Sequence, residues 1–301
     1  MKNNLWMIVI FFLFFRISIQ GETILILLSG DYTELRKAKE AFIEKLQENH
    51  TKLIFKEFVF KVDELSKLDN MLTDTLPDLI ISFGNSATSY IYEKKPPVPI
   101  IFSMLSYKGD YPIQERLPDL FTGVTMNIDE GTTLEILIKL FGRQWELTTL
   151  YSENFFNDVN RIKEEAQKRE ISFSSYVVYN SRQIPSVLRK IRDKTLFWVL
   201  PDPSIYSKSI LVDMFRPLNQ KQAIILVPSY IYLKTDPGAH VAINIDAQSI
   251  GIQTANLVSR VLRYPAQRFP REVPEEIYIY LKKDLKKKYT ITDLPNIKWV
   301  E

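Results

Sequence analysis

The sequence predicts an α/β protein made of two doubly wound lobes, each a parallel sheet with helices on both faces. Three observations carry this. Short apolar runs such as Thr23–Leu28 (TILILL) and Leu79–Phe83 (LIISF) recur along the chain, and strands buried on both faces read as continuous apolar segments. Helical patterns alternate with these runs, which is the signature of βαβ units. At 301 residues the chain exceeds what one hydrophobic core usually fills, since single cores stop growing near about 250–300 residues.

The first unit opens with the strand Thr23–Leu28 and the turn Ser29-Gly30-Asp31. A helix over Thr33–Glu48 follows, with Leu35, Ala38, Phe42 and Leu46 at helical spacing; Asp31 or Thr33 can cap it. Leu53–Phe60 reads as a strand, Val62–Leu72 as a short helix and Leu79–Phe83 as a strand closed by Gly84. Ser86–Glu93 reads as a helix stopped by Pro96 and Pro97, and Val98–Ser103 and Gly123–Met126 as strands. The helix Asp129–Phe141 ends at Gly142.

A second series repeats the alternation. Strands are expected at Leu147–Tyr151, Ile171–Val178, Leu196–Leu200, Ala223–Pro228, His240–Ile245 and Glu276–Leu281. Helices are expected at Phe155–Arg169, Ser181–Asp193, Tyr206–Asn219 and Ala247–Leu262. The basic run Lys282–Lys288 (KKDLKKK) reads as a solvated helix face.

Residues 1–21 have the layout of a secretory signal peptide: Lys2, an 11-residue apolar run Leu5–Phe15, then a more polar stretch to Gly21. The run is too short to span a bilayer, which takes about 20 apolar residues. Cleavage is expected after Gly21; retention as an anchor is the alternative. Removing the segment leaves 37 basic and 36 acidic side chains, so charge gives no reason to expect a nucleic-acid partner. The absence of cysteine excludes disulfides, thiolate metal sites, a cysteine nucleophile and lipid attachment through an N-terminal cysteine.

Catalytic signatures are missing: no GxGxxG, Walker loop, GxSxG or HExxH occurs. No enzyme, metal or cofactor is expected. What stands out is polar residues just after predicted strands, where open α/β sheets bind ligands. In the first series these are Ser29, Asp31 and Tyr32, then Asn85 and Ser86. The latter pair opens a helix, whose free amides favour an anion; one of the two is also expected to cap that helix. In the second series they are Tyr151, Ser152, Asp202, Ser229, Tyr230 and Asp246. Asp202 and Asp246 can pair with a ligand ammonium or cap the helices that follow. Tyr32 and Tyr230 can offer flat ring faces. His240 is expected to be structural, and His50 to sit in a turn.

The order of these motifs resembles the tryptophan/tyrosine-type substrate-binding proteins of ABC transporters, within the type I periplasmic-binding-protein fold. The likeness is carried by Leu79–Tyr90 (LIISFGNSATSY), Val98–Phe102 (VPIIF), Phe121–Thr125 (FTGVT), Leu150–Tyr151, Leu196–Asp202 (LFWVLPD), Ala223–Ser229 (AIILVPS) and Asp246–Leu262 (DAQSIGIQTANLVSRVL). It implies two lobes closing on a ligand cleft: residues 22–126 plus 246–264 in one, and 127–245 plus 275–301 in the other. Asn85, Ser86, Asp202, Ser229 and Asp246 match polar positions of the family. The chain departs at Ser106-Tyr107-Lys108-Gly109, where relatives usually carry Asp-Pro, and at Ile243-Asn244, where they often carry Tyr-Gly. The resemblance implies a monomer that captures a small solute, such as an amino acid or related zwitterion, for an importer permease; a sensor membrane protein is the alternative partner. Without cysteine, a soluble periplasmic protein rather than a lipoprotein is expected.

Overall fold

The computed structural model describes residues 22–74, 76–105 and 121–301. The export-signal expectation and the departure at Ser106-Tyr107-Lys108-Gly109 lie outside the described residues. Contacts divide the chain into two units. One holds the described residues up to Leu105, those from Phe121 to Val124, and Gly251–Glu272; the other holds Thr125–Ile250 and Val273–Glu301.

The first unit carries a five-stranded sheet in the order β2-β1-β3-β4-β5: β1 (Thr23–Leu28), β2 (Ile54–Val59), β3 (Leu79–Phe83), β4 (Ile100–Leu105) and β5 (Phe121–Thr125). Its helices are α1 (Thr33–Asn49), α2 (Leu65–Asp74) and α3 (Asn85–Lys94). The pairs β1–β2, β1–β3 and β3–β4 are parallel. Every residue of β3 and β4 is buried, which is why their sequences show no polar alternation. Helix α1 buries the stripe expected of it, Leu35, Ala38, Phe42 and Leu46, with Phe42 edge-on to Phe83 at 5.8 Å.

The second unit carries a seven-stranded sheet in the order β12-β11-β10-β9-β8-β6-β7. Its strands are β6 (Leu147–Tyr151), β7 (Phe173–Val177), β8 (Leu196–Val199), β9 (Ile224–Val227), β10 (Val241–Ile245), β11 (Ile277–Lys282) and β12 (Ile297–Val300). Its helices are α4 (Glu130–Phe141), α5 (Phe156–Lys168), α6 (Ile184–Leu188), α7 (Lys208–Gln220), α8 (Ala247–Arg263), which continues into the first unit, and the single turn α9 (Leu285–Lys288). The two-residue period of the strands divides the core. Phe197, Val199, Ile225 and Val227 enter one apolar cluster, while Leu196, Ile224 and Leu226 enter the cluster on the opposite face.

The structure corrects the sequence reading in four places. First, β10 and β11 run antiparallel. The excursion through α8 leaves from Ile245 and returns at its partner Ile277, so the returning strand starts where the outgoing one ended. Second, β12 was not anticipated; its half-buried, exposed-alternating pattern is short and follows a polar loop. Third, the helix expected over Ser181–Asp193 is a 3₁₀ turn, Ser181–Gln183, and then only the five residues of α6. Beyond it the chain tightens into three-residue hydrogen bonds, Lys190 N–H to Val187 and Ile191 N–H to Leu188, which turn Ile191 into the core. Fourth, the basic run is helical only over Leu285–Lys288, and Leu285 within it is fully buried.

One close approach is set by glycine. A Cβ at Gly251 of α8 would lie 2.1 Å from the carbonyl oxygen of Ala38 in α1, so the two helix backbones meet where only hydrogen fits.

Candidate ligand-binding site

The strand orders locate the crevice in each unit. In β2-β1-β3-β4-β5 the connections reverse direction between β1 and β3, the switch point where open α/β sheets take ligands. In the second unit β7-β6-β8-β9-β10 has the same form, with its switch between β6 and β8. Ser29, Asn85 and Ser86 therefore sit at one switch point, and Tyr151, Ser152 and Asp202 at the other.

At the first, Ser29 Oγ accepts the Ala87 N–H of α3 at 2.9 Å, and Ser29 N–H donates to Phe83 O. The helix cap therefore comes from a side chain on another strand, which corrects the expectation that Asn85 or Ser86 caps α3. The N-cap position is Gly84, at φ 87° and ψ 177°. A Cβ there would meet Ser29 Oγ at 2.9 Å, so glycine is needed both for the dihedrals and for the space. Ser86 is exposed and Asn85 half-buried. Tyr32 is the N-cap of α1 but makes no side-chain cap bond, correcting the expectation that Asp31 or Thr33 would do so. Its ring, 66% exposed, lies against Gly30. Asp31 forms a surface pair with Arg36 at 3.2 Å.

At the second, Asp202 is buried and both carboxylate oxygens accept backbone amides: Oδ2 from Ser152 at 2.7 Å and Oδ1 from Ser204 at 3.0 Å. It ties the end of β6 to the loop after β8 and caps no helix; α7 takes its cap from Ser207. Tyr206 donates its hydroxyl to Leu150 O beside it. Ser152 Oγ is buried there without a hydrogen-bond partner. Tyr151 is half-buried.

Asp246 does cap: its Oδ2 accepts Ser249 N–H of α8 at 3.1 Å. Ser229 is half-buried and precedes the 3₁₀ segment Tyr230–Lys234. Tyr230 stacks on Tyr280 at 4.8 Å, and Lys234 Nζ lies 5.4 Å from the Tyr230 ring. Tyr280 was missed from sequence, although the alternation of Tyr278 and Tyr280 along β11 puts both on one face. Asn244 was also missed: its amide donates to Pro228 O while Oδ1 is buried without a partner.

His240 is structural, as read from sequence. Its Nδ1 accepts Ile225 N–H at 3.1 Å, and burial pushes its pKa down to about 4. His50 closes the C-terminus of α1. Among the described residues no group of three His, Asp or Glu is placed to hold a metal, and no helix is long and apolar enough to cross a membrane.

Comparison with known proteins gives a consistent outcome. The family model described as ABC transporter substrate binding protein matches residues 24–292. Comparison with curated proteins gives no match. Among solved structures, the ligand-free, open structure of a substrate binding protein with adhesive properties from Clostridium difficile is 15% identical, with a TM-score of 0.74 over 93% of this chain and 99% of that one. An ABC domain in complex with L-Trp from Streptococcus pneumonia is 17% identical, with a TM-score of 0.58 over 91% and 96%. A periplasmic ribose ABC transporter protein from Conexibacter woesei is 11% identical, with a TM-score of 0.60 over 89% and 94%. At such identities the structural likeness speaks for the fold: α/β, with two parallel-sheet lobes of the type I periplasmic-binding-protein kind. The match across nearly the whole chain identifies the function class as solute binding rather than catalysis, and the chain belongs to the ABC transporter substrate binding protein family.

Proposed function

We propose that this protein captures a small solute between its two lobes by cleft closure and delivers it to the permease of an ABC importer. The lobes of this proposal are residues 22–126 plus 246–264 and 127–245 plus 275–301. The supporting observation is the pairing of switch points: each unit presents polar groups where its strand connections reverse, with the partnerless Ser152 Oγ buried at one of them. The contacts proposed are the exposed or half-buried Tyr32, Asn85, Ser86, Tyr151, Ser229 and Tyr230, together with the buried, partnerless Ser152 Oγ. Ser29, Asp202 and Asp246 hold the surrounding backbone and act on the ligand through it. The N-terminal end of α3, the positive end of its dipole, suits a carboxylate. A zwitterion such as an amino acid is the proposed class; the L-Trp bound to the Streptococcus relative puts L-tryptophan first in the panel.

A ligand held by both lobes favours the closed state by its differential affinity for that state. In this reading the protein acts outside the cytoplasm as a monomer, exported by residues 1–21, with no cysteine in the sequence to carry a lipid. Mass spectrometry of the ligand that co-purifies, then titration calorimetry and small-angle scattering with an amino-acid panel, tests the reading. Binding accompanied by a smaller radius of gyration is expected. Absence of both with every solute tried overturns it.

A further inference from the structure

We infer that the groove between α6 and α7, on the helical face of the second unit, binds a free straight-chain carboxylate of medium length. The groove lies between α6, which stops at Leu188, and the flank of α7. The opening has a volume of about 630 Å³, within the range of small-molecule sites. Its apolar lining comes from Ile184, Pro185 and Leu188 on one side and Ile210, Met214 and Pro217 on the other. Ile184, Leu188 and Met214 are buried in the same core cluster, so this is a built floor rather than a patch of loose surface side chains. Met214 adds a pliable, polarisable wall. Pro217 lies inside α7 and has no N–H to donate to the carbonyl of Asp213.

The rim gives the sign of the ligand. Arg182, Arg189 and Lys221 line it against the one carboxylate of Asp213. Lys221 Nζ is held by Ile191 O at 2.8 Å and lies 3.5 Å from Asp193. Arg182 and Arg189 are exposed and make no side-chain ion pair among the described residues, whereas Arg161, Arg169 and Arg260 all have carboxylate partners. An apolar slot with two free guanidinium groups at its mouth fits a chain that ends in an anion. A methylene takes roughly the volume of a water, about 30 Å³, so one chain of about eight to twelve carbons fits within the opening with room to spare. This groove lies between helices, away from the strand ends where the solute is proposed to bind, and does not depend on that reading.

Decanoate is the probe, with decanol and acetate as controls, in titration calorimetry on the full protein. One equivalent of decanoate is expected to bind, more tightly than decanol, with acetate silent. The double variant Arg182→Gln/Arg189→Gln should weaken decanoate about tenfold, since a charge-assisted pair is lost, and leave decanol unchanged. Ile210→Trp, filling the slot, should abolish both while circular dichroism and the melting temperature report an intact fold. Failure of decanoate to bind, or unchanged affinity in the double arginine variant, overturns the inference.

Discussion

His240 offers a test of how burial sets stability in the second unit. His240 is 5% exposed and exchanges two hydrogen bonds with Ile225: its Nδ1 accepts the Ile225 N–H, and its backbone N–H donates to Ile225 O. Burial is the main force lowering its pKa from 6.5 to about 4; Asp284 pulls it back up, and Lys288 and Lys282 push it further down. Protonation would convert Nδ1 from acceptor to donor facing another donor. In the unfolded chain the ring takes its proton near pH 6.5, in the folded chain only near pH 4. Between those values the unfolded state binds more protons, so stability falls as pH falls. The contribution is complete above about pH 6.5 and gone below about pH 4. At 1.36 kcal/mol per unit it amounts to about 3 kcal/mol in total, and about 2 kcal/mol is lost by pH 5.

The variant for comparison is His240→Asn, whose Oδ1 can accept the Ile225 amide but cannot titrate. Trp145, Trp198 and Trp299, the tryptophans of the described residues, all lie in the second unit. Urea unfolding followed by tryptophan fluorescence therefore reports that unit. Between about pH 7.5 and 5 the parent should lose about 2 kcal/mol more than His240→Asn. Equal pH slopes for parent and His240→Asn, or an NMR titration of His240 centred near pH 6.5, would refute the reasoning.

Three further outcomes are expected. Gly251→Ala should destabilise the first unit by at least about 1–3 kcal/mol, the cost of forcing a methyl into a packed contact, read as a lower melting temperature; an unchanged value would mean α1 and α8 separate freely. Asp202→Ala should cost about 1–3 kcal/mol, because the Ser152 amide is left buried without an acceptor; chemical denaturation measures it, and Asp202→Asn, which keeps one acceptor, should lose less. Ser29→Ala should cost about 1 kcal/mol through the lost cap, whereas Ser86→Ala, exposed at the same helix end, should stay within about 0.5 kcal/mol and show its effect in solute affinity instead.

What the chain reveals by itself depends on whether the signal is local. Thr23–Leu28, Leu79–Phe83 and Leu147–Tyr151 were legible to the residue, because a strand buried on both faces reads as a run of apolar and small uncharged side chains without polar alternation. The Leu35–Leu46 stripe was equally legible from its spacing. The direction of β11 was not, since it depends on where the excursion through α8 returns, a property of the path and not of the strand's residues. The candidate site divides along the same line. Reading polar residues after strands did find both switch points. It could not tell a side chain that faces ligand from one that holds the frame, because the difference lies in partners far along the chain: Ser29 with Ala87, 58 positions away, and Ser152 with Asp202, 50 away. These two bonds do the same work in the two units. Each fastens the end of the central strand to the segment after its neighbour, across the gap that the reversed connections leave open. A crevice formed by diverging connections would otherwise be its weakest point, with amides exposed and no ladder to satisfy them. By taking up those amides, Ser29 and Asp202 commit their side chains to the backbone and hold the segments that carry Asn85, Ser86, Tyr151 and Ser152. Asp202, buried in the loop after β8, thus spends both carboxylate oxygens on backbone amides, and in the binding proposed above the neutral groups beside it would set the specificity.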